Sequence, residues 1–320
     1  MRTVFLGTSD FAAAVLARLA GTGAGAEDPD TPQTPLRTAA SHSPALVITR
    51  PDRPAGRGRK LTAPPVADAA RALGLRLAQP ESVNDSDTHE LIASVNPDVL
   101  LVCAFGALIK EPLLSAYELL NVHPSLLPRW RGAAPIERAI MAGDERTGVS
   151  IMRLTAGLDS GPVCLAQSEP IAAQDDFGSL AARLQDLGGE LLTRALDTLD
   201  TGEPLAFSEQ DERLVTYAEK IGPEDRVLDP EKSVVQLERR VRALYPHIGA
   251  RVALAEGAVL GVRRASLAPD APVRLGVYAD GERLLLGCAD GLLDLLEVQS
   301  PGKRPMEAKA FLRGHGLPTA

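Results

Sequence analysis

The sequence predicts an α/β protein: a Rossmann-like, wound and mostly parallel sheet, followed by a second, smaller β-barrel domain. Three observations carry this. Short apolar runs alternate with amphipathic helical patterns up to residue 200, as in a wound sheet. Beyond residue 250, short strands follow one another with Gly, Asp or Pro between them, as in a small barrel. And 320 residues exceed what a single hydrophobic core usually holds.

Taken in order, Thr3 to Leu6 is the first strand and Phe11 to Ala20 the first helix. The turn between them, Gly7-Thr8-Ser9-Asp10, lacks the Gly-x-Gly-x-x-Gly pattern, which argues against a dinucleotide cofactor. Gly21 to Pro44 is rich in Gly, Ala, Pro, Thr and Ser and reads as an exposed insertion. Further strands are expected at Ala45 to Thr49, Leu75 to Ala78, Asp98 to Ala104, Leu119 to Val122 and Val149 to Leu154, with helices at Val66 to Leu73 and Thr88 to Ser94. Arg50 to Lys60 sets Arg50, Arg53, Arg57, Arg59 and Lys60 against one acid, Asp52. Its Pro51, Pro54, Gly56 and Gly58 forbid a regular helix or central strand, so the segment reads as a basic loop. By composition alone it is an ordinary solvated charge run.

An amphipathic helix from Ser179 to Leu199 closes a first domain, 1–200. The polar, Gly/Pro-punctuated stretch 201–213 reads as a linker, and 214–320 as the second domain. Its strands are expected at Arg251 to Leu254, Val259 to Leu267, Val273 to Tyr278, Arg283 to Gly287 and Leu292 to Val298.

Composition narrows the class. With 45% hydrophobic and 24% charged residues the chain is that of a soluble globular protein. The most apolar run, Val99 to Ile109, is too short to span a bilayer, and Asp10 and Arg18 interrupt any likeness to a signal peptide. A cytoplasmic location is expected. Cys103, Cys164 and Cys288 and five dispersed histidines show no metal-ligand spacing, so no metal is expected. The net charge of −8 is unevenly spread: residues 231–320 hold 13 Lys and Arg against 10 Asp and Glu. A polyanion would therefore meet only selected faces.

The most informative segment is Asn121-Val122-His123-Pro124-Ser125-Leu126-Leu127-Pro128. Two residues apart on a strand, Asn121 and His123 share a face, at the strand end where ligands of open parallel sheets bind. Alone, an Asn-x-His is better read as a polar strand end. A second turn, Gly157-Leu158-Asp159-Ser160-Gly161-Pro162, adds a carboxylate between glycines that allow positive φ and a close backbone approach. Amide, imidazole and carboxylate together suit acyl transfer.

These two motifs resemble the signature of the 10-formyltetrahydrofolate-dependent formyltransferases. Phe5-Leu6-Gly7-Thr8-Ser9-Asp10-Phe11-Ala12, Arg50 to Lys60, Val215-Thr216-Tyr217-Ala218-Glu219-Lys220 and Pro301-Gly302-Lys303-Arg304-Pro305-Met306 extend the resemblance over nearly the full length, toward the members that formylate methionyl initiator tRNA. The resemblance implies an OB-like second domain that binds tRNA, a monomer, 10-formyltetrahydrofolate as co-substrate and no membrane partner. It implies Asn121, His123 and Asp159 as catalytic residues: Asn121 and His123 as donors to the developing oxyanion, Asp159 holding His123 and relaying the amine's proton. Ser125, Leu126, Leu127 and Pro128 match the folate-binding turn. Arg53, Arg57, Arg59 and Lys60 match the tRNA-contacting insertion, which Arg129, Trp130 and Arg131 would extend, although Trp130 equally suits a packing anchor. Cys164 reads as a small buried hydrophobe. Three departures stand out: Pro124 in place of a small residue, Tyr245-Pro246-His247 in place of an aromatic and Trp-Pro pattern, and a long 21–44 insertion. Alternatives are a small-amine formyltransferase, a formyltetrahydrofolate hydrolase and a non-catalytic RNA-binding protein. The first two leave the barrel unexplained, and the last leaves Asn121, His123 and Asp159 without purpose.

Overall fold

Apolar runs such as Val-Phe-Leu and Val-Leu-Leu-Val, without polar alternation, form strands covered on both faces, and Thr3–Gly7 and Val99–Cys103 are buried at every position. The computed structural model describes residues 1–21, 42–55, 58, 60–254, 257–268 and 274–314. Its elements run β1 (Thr3–Gly7), α1 (Asp10–Leu19), β2 (Leu46–Ile48), β3 (Arg53–Ala55), β4 (Lys60–Thr62), α2 (Pro65–Ala72), β5 (Leu77–Ala78), α3 (Ser86–Ser94), β6 (Val99–Cys103), α4 (Leu113–Ala116), β7 (Glu118–His123), β8 (Arg131–Gly132), α5 (Pro135–Ala142), β9 (Arg146–Arg153), β10 (Val163–Pro170) and α6 (Phe177–Asp200). After these come β11 (Tyr217–Ala218), α7 (Val234–Leu244), β12 (Ala250–Ala253), β13 (Val259–Leu267), β14 (Gly276–Asp280), β15 (Arg283–Gly287), β16 (Leu292–Gln299), β17 (Met306–Glu307) and α8 (Ala308–Leu312).

Contacts divide the chain into two units: Met1–Arg131, Gly148–Glu169 and Ala182–Thr216, and Gly132–Thr147, Pro170–Ala181 and Tyr217–Ala320. The large sheet has seven strands in the order β10-β9-β7-β6-β1-β2-β5. β5, β2, β1, β6 and β7 are parallel, and β9 runs antiparallel to β7. The carboxyl ends of β1, β6 and β7 therefore meet along one edge, where Thr8 Oγ1 donates to the Phe105 carbonyl at 2.7 Å. Helix α1 starts as its sequence dictates, with the Ser9 hydroxyl accepting the Ala12 N–H. Val4, Leu6, Leu46, Ile48, Leu100 and Val102 pack into one apolar cluster that fixes the parallel core.

Three features depart from expectation. Within and just beyond the basic segment, expected as a loop, Arg53–Ala55 pairs with Lys60–Thr62 as a two-stranded ribbon, β3 against β4 with Pro54 opposite Leu61. A two-stranded ribbon has only edge strands, where a proline is tolerated. Strand β10 and helices α5 and α7 were not anticipated. The stretch 201–213, expected as a linker, lies in the first unit, and there Val163 and Ser208 exchange both backbone hydrogen bonds at 2.9 Å. Residues 22–41 of the insertion, together with Arg57 and Arg59, lie outside the described residues.

In the second unit the strand order is β12-β13-β16-β15-β14, with β17 on β16, all antiparallel. Register shifts at Arg264 mark a bulge in β13, a device that adds twist and helps a sheet curl. Val234, Leu237, Val241 and Leu244 recur at helical spacing along α7 and pack with Leu260 and Leu286 in the core of this sheet.

Candidate active site

Strand β7 is central, bonded on one side to β6 and on the other to β9, so its residues are held in register from both flanks. Asn121 sits opposite Val102 and Met152, and His123 opposite Ser150. The two side chains share one face and are almost fully buried, 7% and 4% exposed. Among the described residues the Asn121 carboxamide makes no hydrogen bond. Buried amides are normally spent on partners inside the protein. This one has two N–H donors left over.

The imidazole is hydrogen-bonded at one nitrogen and faces a carboxylate at the other. His123 Nε2 lies 2.9 Å from the Trp130 carbonyl. A carbonyl can only accept, so Nε2 carries the proton. Nδ1 faces Asp159 Oδ2 at 3.6 Å. In the neutral ring a lone pair would point at the carboxylate, whereas the doubly protonated ring gives each acceptor an N–H. With Nε2 spent on Trp130, the oxyanion donor expected of His123 is occupied in this geometry.

The backbone around the ring is strained on both sides. Of the four non-glycine residues with positive φ among the described residues, two touch His123: Trp130 at 65° and Asp159 at 45°. Such conformations are disfavoured for side-chain-bearing residues and gather at working sites. The flanking glycines act otherwise than expected. Neither Gly157 nor Gly161 takes positive φ; Gly161 allows close contact instead, since a Cβ there would lie 1.9 Å from the Arg153 carbonyl oxygen. The close approach is to β9, not to a ligand.

The Ser125 to Pro128 turn is stitched from within. Ser125 Oγ donates to the Arg129 carbonyl at 2.6 Å; Ser150 Oγ donates to the Ser125 carbonyl at 2.8 Å and accepts the Leu127 N–H at 3.2 Å. Gly148 is required first by β10, since a Cβ there would lie 2.1 Å from the Gln167 carbonyl oxygen, and it also leaves room for Leu126, whose Cδ2 would be 2.6 Å away. Ser125 is fully buried while Leu126, Leu127 and Pro128 are half-buried. The turn thus offers apolar surface more than open backbone groups.

At the ribbon, Arg53 Nη2 donates to Glu81 Oε2 at 2.6 Å, Arg50 Nη1 to the Gly106 carbonyl at 2.7 Å, and Lys60 is exposed. Arg131 corrects the sequence reading: it is 3% exposed and bound to Gln210 and Glu212, so it extends no surface. The Arg129 guanidinium lies over the Trp130 ring at 4.4 Å. Burial pushes the Cys164 thiol up to about 11, and its Sγ donates to the Ile151 carbonyl at 3.4 Å, a structural placement. Sequence reasoning missed Ser150 and Gln210. Ser150 is hidden in an apolar run, and Gln210 in a stretch with linker composition.

A model of the formyl transferase family matches residues 31–196, and a model of the formyl transferase C-terminal domain matches 220–316. The methionyl-tRNA formyltransferase of Methylococcus capsulatus is 42% identical over 322 aligned positions, spanning 99% of this chain and 98% of its own. The chain belongs to the formyl transferase family. The methionyl-tRNA formyltransferase of Thiobacillus denitrificans is 41% identical to this formyl transferase over 99% of this chain and 97% of its own. Among solved structures, HypX from Aquifex aeolicus superposes with a TM-score of 0.64 at 18% identity, covering all of this chain and 50% of that one. An N-formyltransferase from Helicobacter canadensis, in complex with folinic acid and dTDP-3-aminofucose, gives 0.63 at 13% identity, covering 92% and 98%. At such identities these two speak for the shared fold alone. Among the described residues of this formyl transferase, no helix is long and apolar enough to cross a membrane, and no three metal-ligating side chains are grouped.

Proposed function

We propose that the enzyme transfers the formyl group of 10-formyltetrahydrofolate to the amino group of methionyl initiator tRNA, as a cytoplasmic monomer. The observation that carries the reading is the buried, unspent Asn121 carboxamide beside the His123–Asp159 pair at the carboxyl end of β7. When bound, the donor presents a formyl carbon whose oxygen gains negative charge as an amine adds. Asn121 donates to that oxygen, an interaction worth about 3 kcal/mol in comparable sites. His123, backed by Asp159, takes the proton that the amine loses. The half-buried Leu126, Leu127 and Pro128 offer apolar surface for the pterin, with Ser125 as the buried pin of their turn.

The acceptor is assigned from near-full-length similarity to methionyl-tRNA formyltransferases, from the basic sequence Arg53, Arg57, Arg59 and Lys60, and from the second unit. There a groove of about 610 Å³ is lined by Arg242, Tyr245, Arg263 and Arg264, with Arg264 4.6 Å above the Tyr245 ring. The guanidinium groups of Arg263 and Arg264 and the half-buried Tyr245 ring suit phosphate contact and stacking. Mixing purified enzyme and formyl donor with either charged initiator tRNA or an amino-sugar nucleotide tests the acceptor. Formylation of the tRNA alone is expected, and a clear preference for the sugar amine would overturn the assignment.

A further inference from the structure

Gln210 lies in the segment expected to be a linker, yet its carboxamide is fully employed. Nε2 donates to the Asp159 carbonyl at 2.8 Å and the Gly161 carbonyl at 2.7 Å. Oε1 accepts from Arg131 Nε at 3.0 Å and Nη2 at 2.9 Å. Two donors and two lone pairs are the whole capacity of an amide. Arg131 is itself fixed, donating to Glu212 Oε1 at 2.7 Å.

The two ends of this bridge fall on the two groups that hold His123. One end grips the turn that carries Asp159, on both sides of Ser160. The other grips Arg131, the residue after Trp130, whose carbonyl accepts from His123 Nε2. Asp159 and Trp130 are also the two positions held at positive φ around the ring. A disfavoured backbone conformation persists only where its surroundings over-determine it. Neighbouring contacts run the same way: Ser208 pairs with Val163, and the Arg153 guanidinium lies 4.0 Å over the Phe207 ring. Residues 207–212 form a strap laid across the Asp159 turn, with Gln210 as its clasp.

We propose that Gln210 is a positioning residue for formyl transfer, setting the Asp159 carboxylate against the His123 ring through the backbone of the turn. It touches no reacting atom. Asparagine is one methylene shorter, and glutamate accepts from Arg131 but lacks the donors that both turn carbonyls require.

The inference rests on Asp159 acting in turnover, so the test is a double-mutant cycle. Formyl transfer from 10-formyltetrahydrofolate to methionyl initiator tRNA is measured for wild type, Gln210→Ala, Asp159→Ala and the double variant. A misplacement of this kind costs kcat roughly 10- to 100-fold, with KM for both substrates nearly unchanged. In the Asp159→Ala background the same Gln210 change costs almost nothing, because nothing remains to be positioned. Gln210→Glu, which keeps the Arg131 contact and the length, serves if the alanine variant does not fold, and the same loss of kcat is expected. Wild-type kcat in a folded Gln210→Ala or Gln210→Glu protein overturns the inference. So does an equal loss with and without Asp159, the mark of a merely structural role. If Asp159→Ala alone keeps full turnover, the catalytic reading falls and this inference with it; impaired Asp159→Ala with unimpaired Gln210 variants defeats this inference only.

Discussion

Asn121 and Cys164 show how burial decides what a polar side chain can do. Asn121 is buried without a hydrogen-bond partner among the described residues, which leaves its amide donors available to a ligand. Cys164 is half-buried with its thiol donating to a β9 carbonyl, and the burial that pushes it up to about 11 leaves it protonated at neutral pH. Replacing Cys164 with alanine should therefore leave kcat within about twofold, since only a thiolate would attack a formyl carbon. A large loss of turnover in a Cys164→Ala protein of unchanged thermal stability would make the thiol a participant. Asn121, His123 and Asp159 were legible in the sequence because strand period and turn composition are local signals. Gln210 was not. It lies 51 residues from the carbonyl it holds, and its neighbours carry the polar composition of a linker.

At the scale of elements, helix α5 of the second unit is fixed by a charge pair that no local pattern announced. Arg138 donates to both carboxylate oxygens of Asp225, at 2.7 and 2.8 Å, and the Gly222 N–H adds a third bond at 2.9 Å. The Arg138 guanidinium, first among the causes, holds the Asp225 carboxyl below its ordinary 3.8. A carboxyl lowered in the folded state adds stability above its unfolded pKa and loses it as pH falls through the folded value. Asp225→Asn should cost about 3 kcal/mol at neutral pH, the lower end of what breaking a buried pair costs, because both side chains keep some exposure. The gap between the two proteins should narrow as pH falls below 3.8. Urea melts at several pH values measure it, and a gap that widens in acid would contradict the linkage. Strand β10 was overlooked for a different reason: Val-Cys-Leu-Ala-Gln-Ser-Glu-Pro lacks the alternation that marks a strand, and it forms by lying at the sheet edge against β9, the strand before it.

At the scale of the molecule, the chain passes between its two units five times, at 131/132, 147/148, 169/170, 181/182 and 216/217. Sequence composition suggests a single crossing, because it registers the long polar stretch and not the short segments 132–147 and 170–181. A chain ending at Thr216 would retain those two segments without the unit to which they belong, including the apolar face of α5 with Ile136 and Ile140. Such a truncation should melt well below the full-length enzyme or aggregate. An unchanged melting temperature with intact donor binding would mean that the first unit folds alone.

The central claim is that Asn121, His123 and Asp159 stabilise charge developing in formyl transfer rather than the bound donor. The measurement that tests it most directly pairs steady-state formylation of methionyl initiator tRNA with equilibrium binding of the formyl donor, for wild type and for Asn121→Ala, His123→Ala and Asp159→Ala. Each folded variant should lose roughly a hundredfold or more in kcat, while donor affinity changes by only a few-fold. Near-normal turnover in any one of them, or a loss that appears wholly as weaker donor binding, would contradict the account.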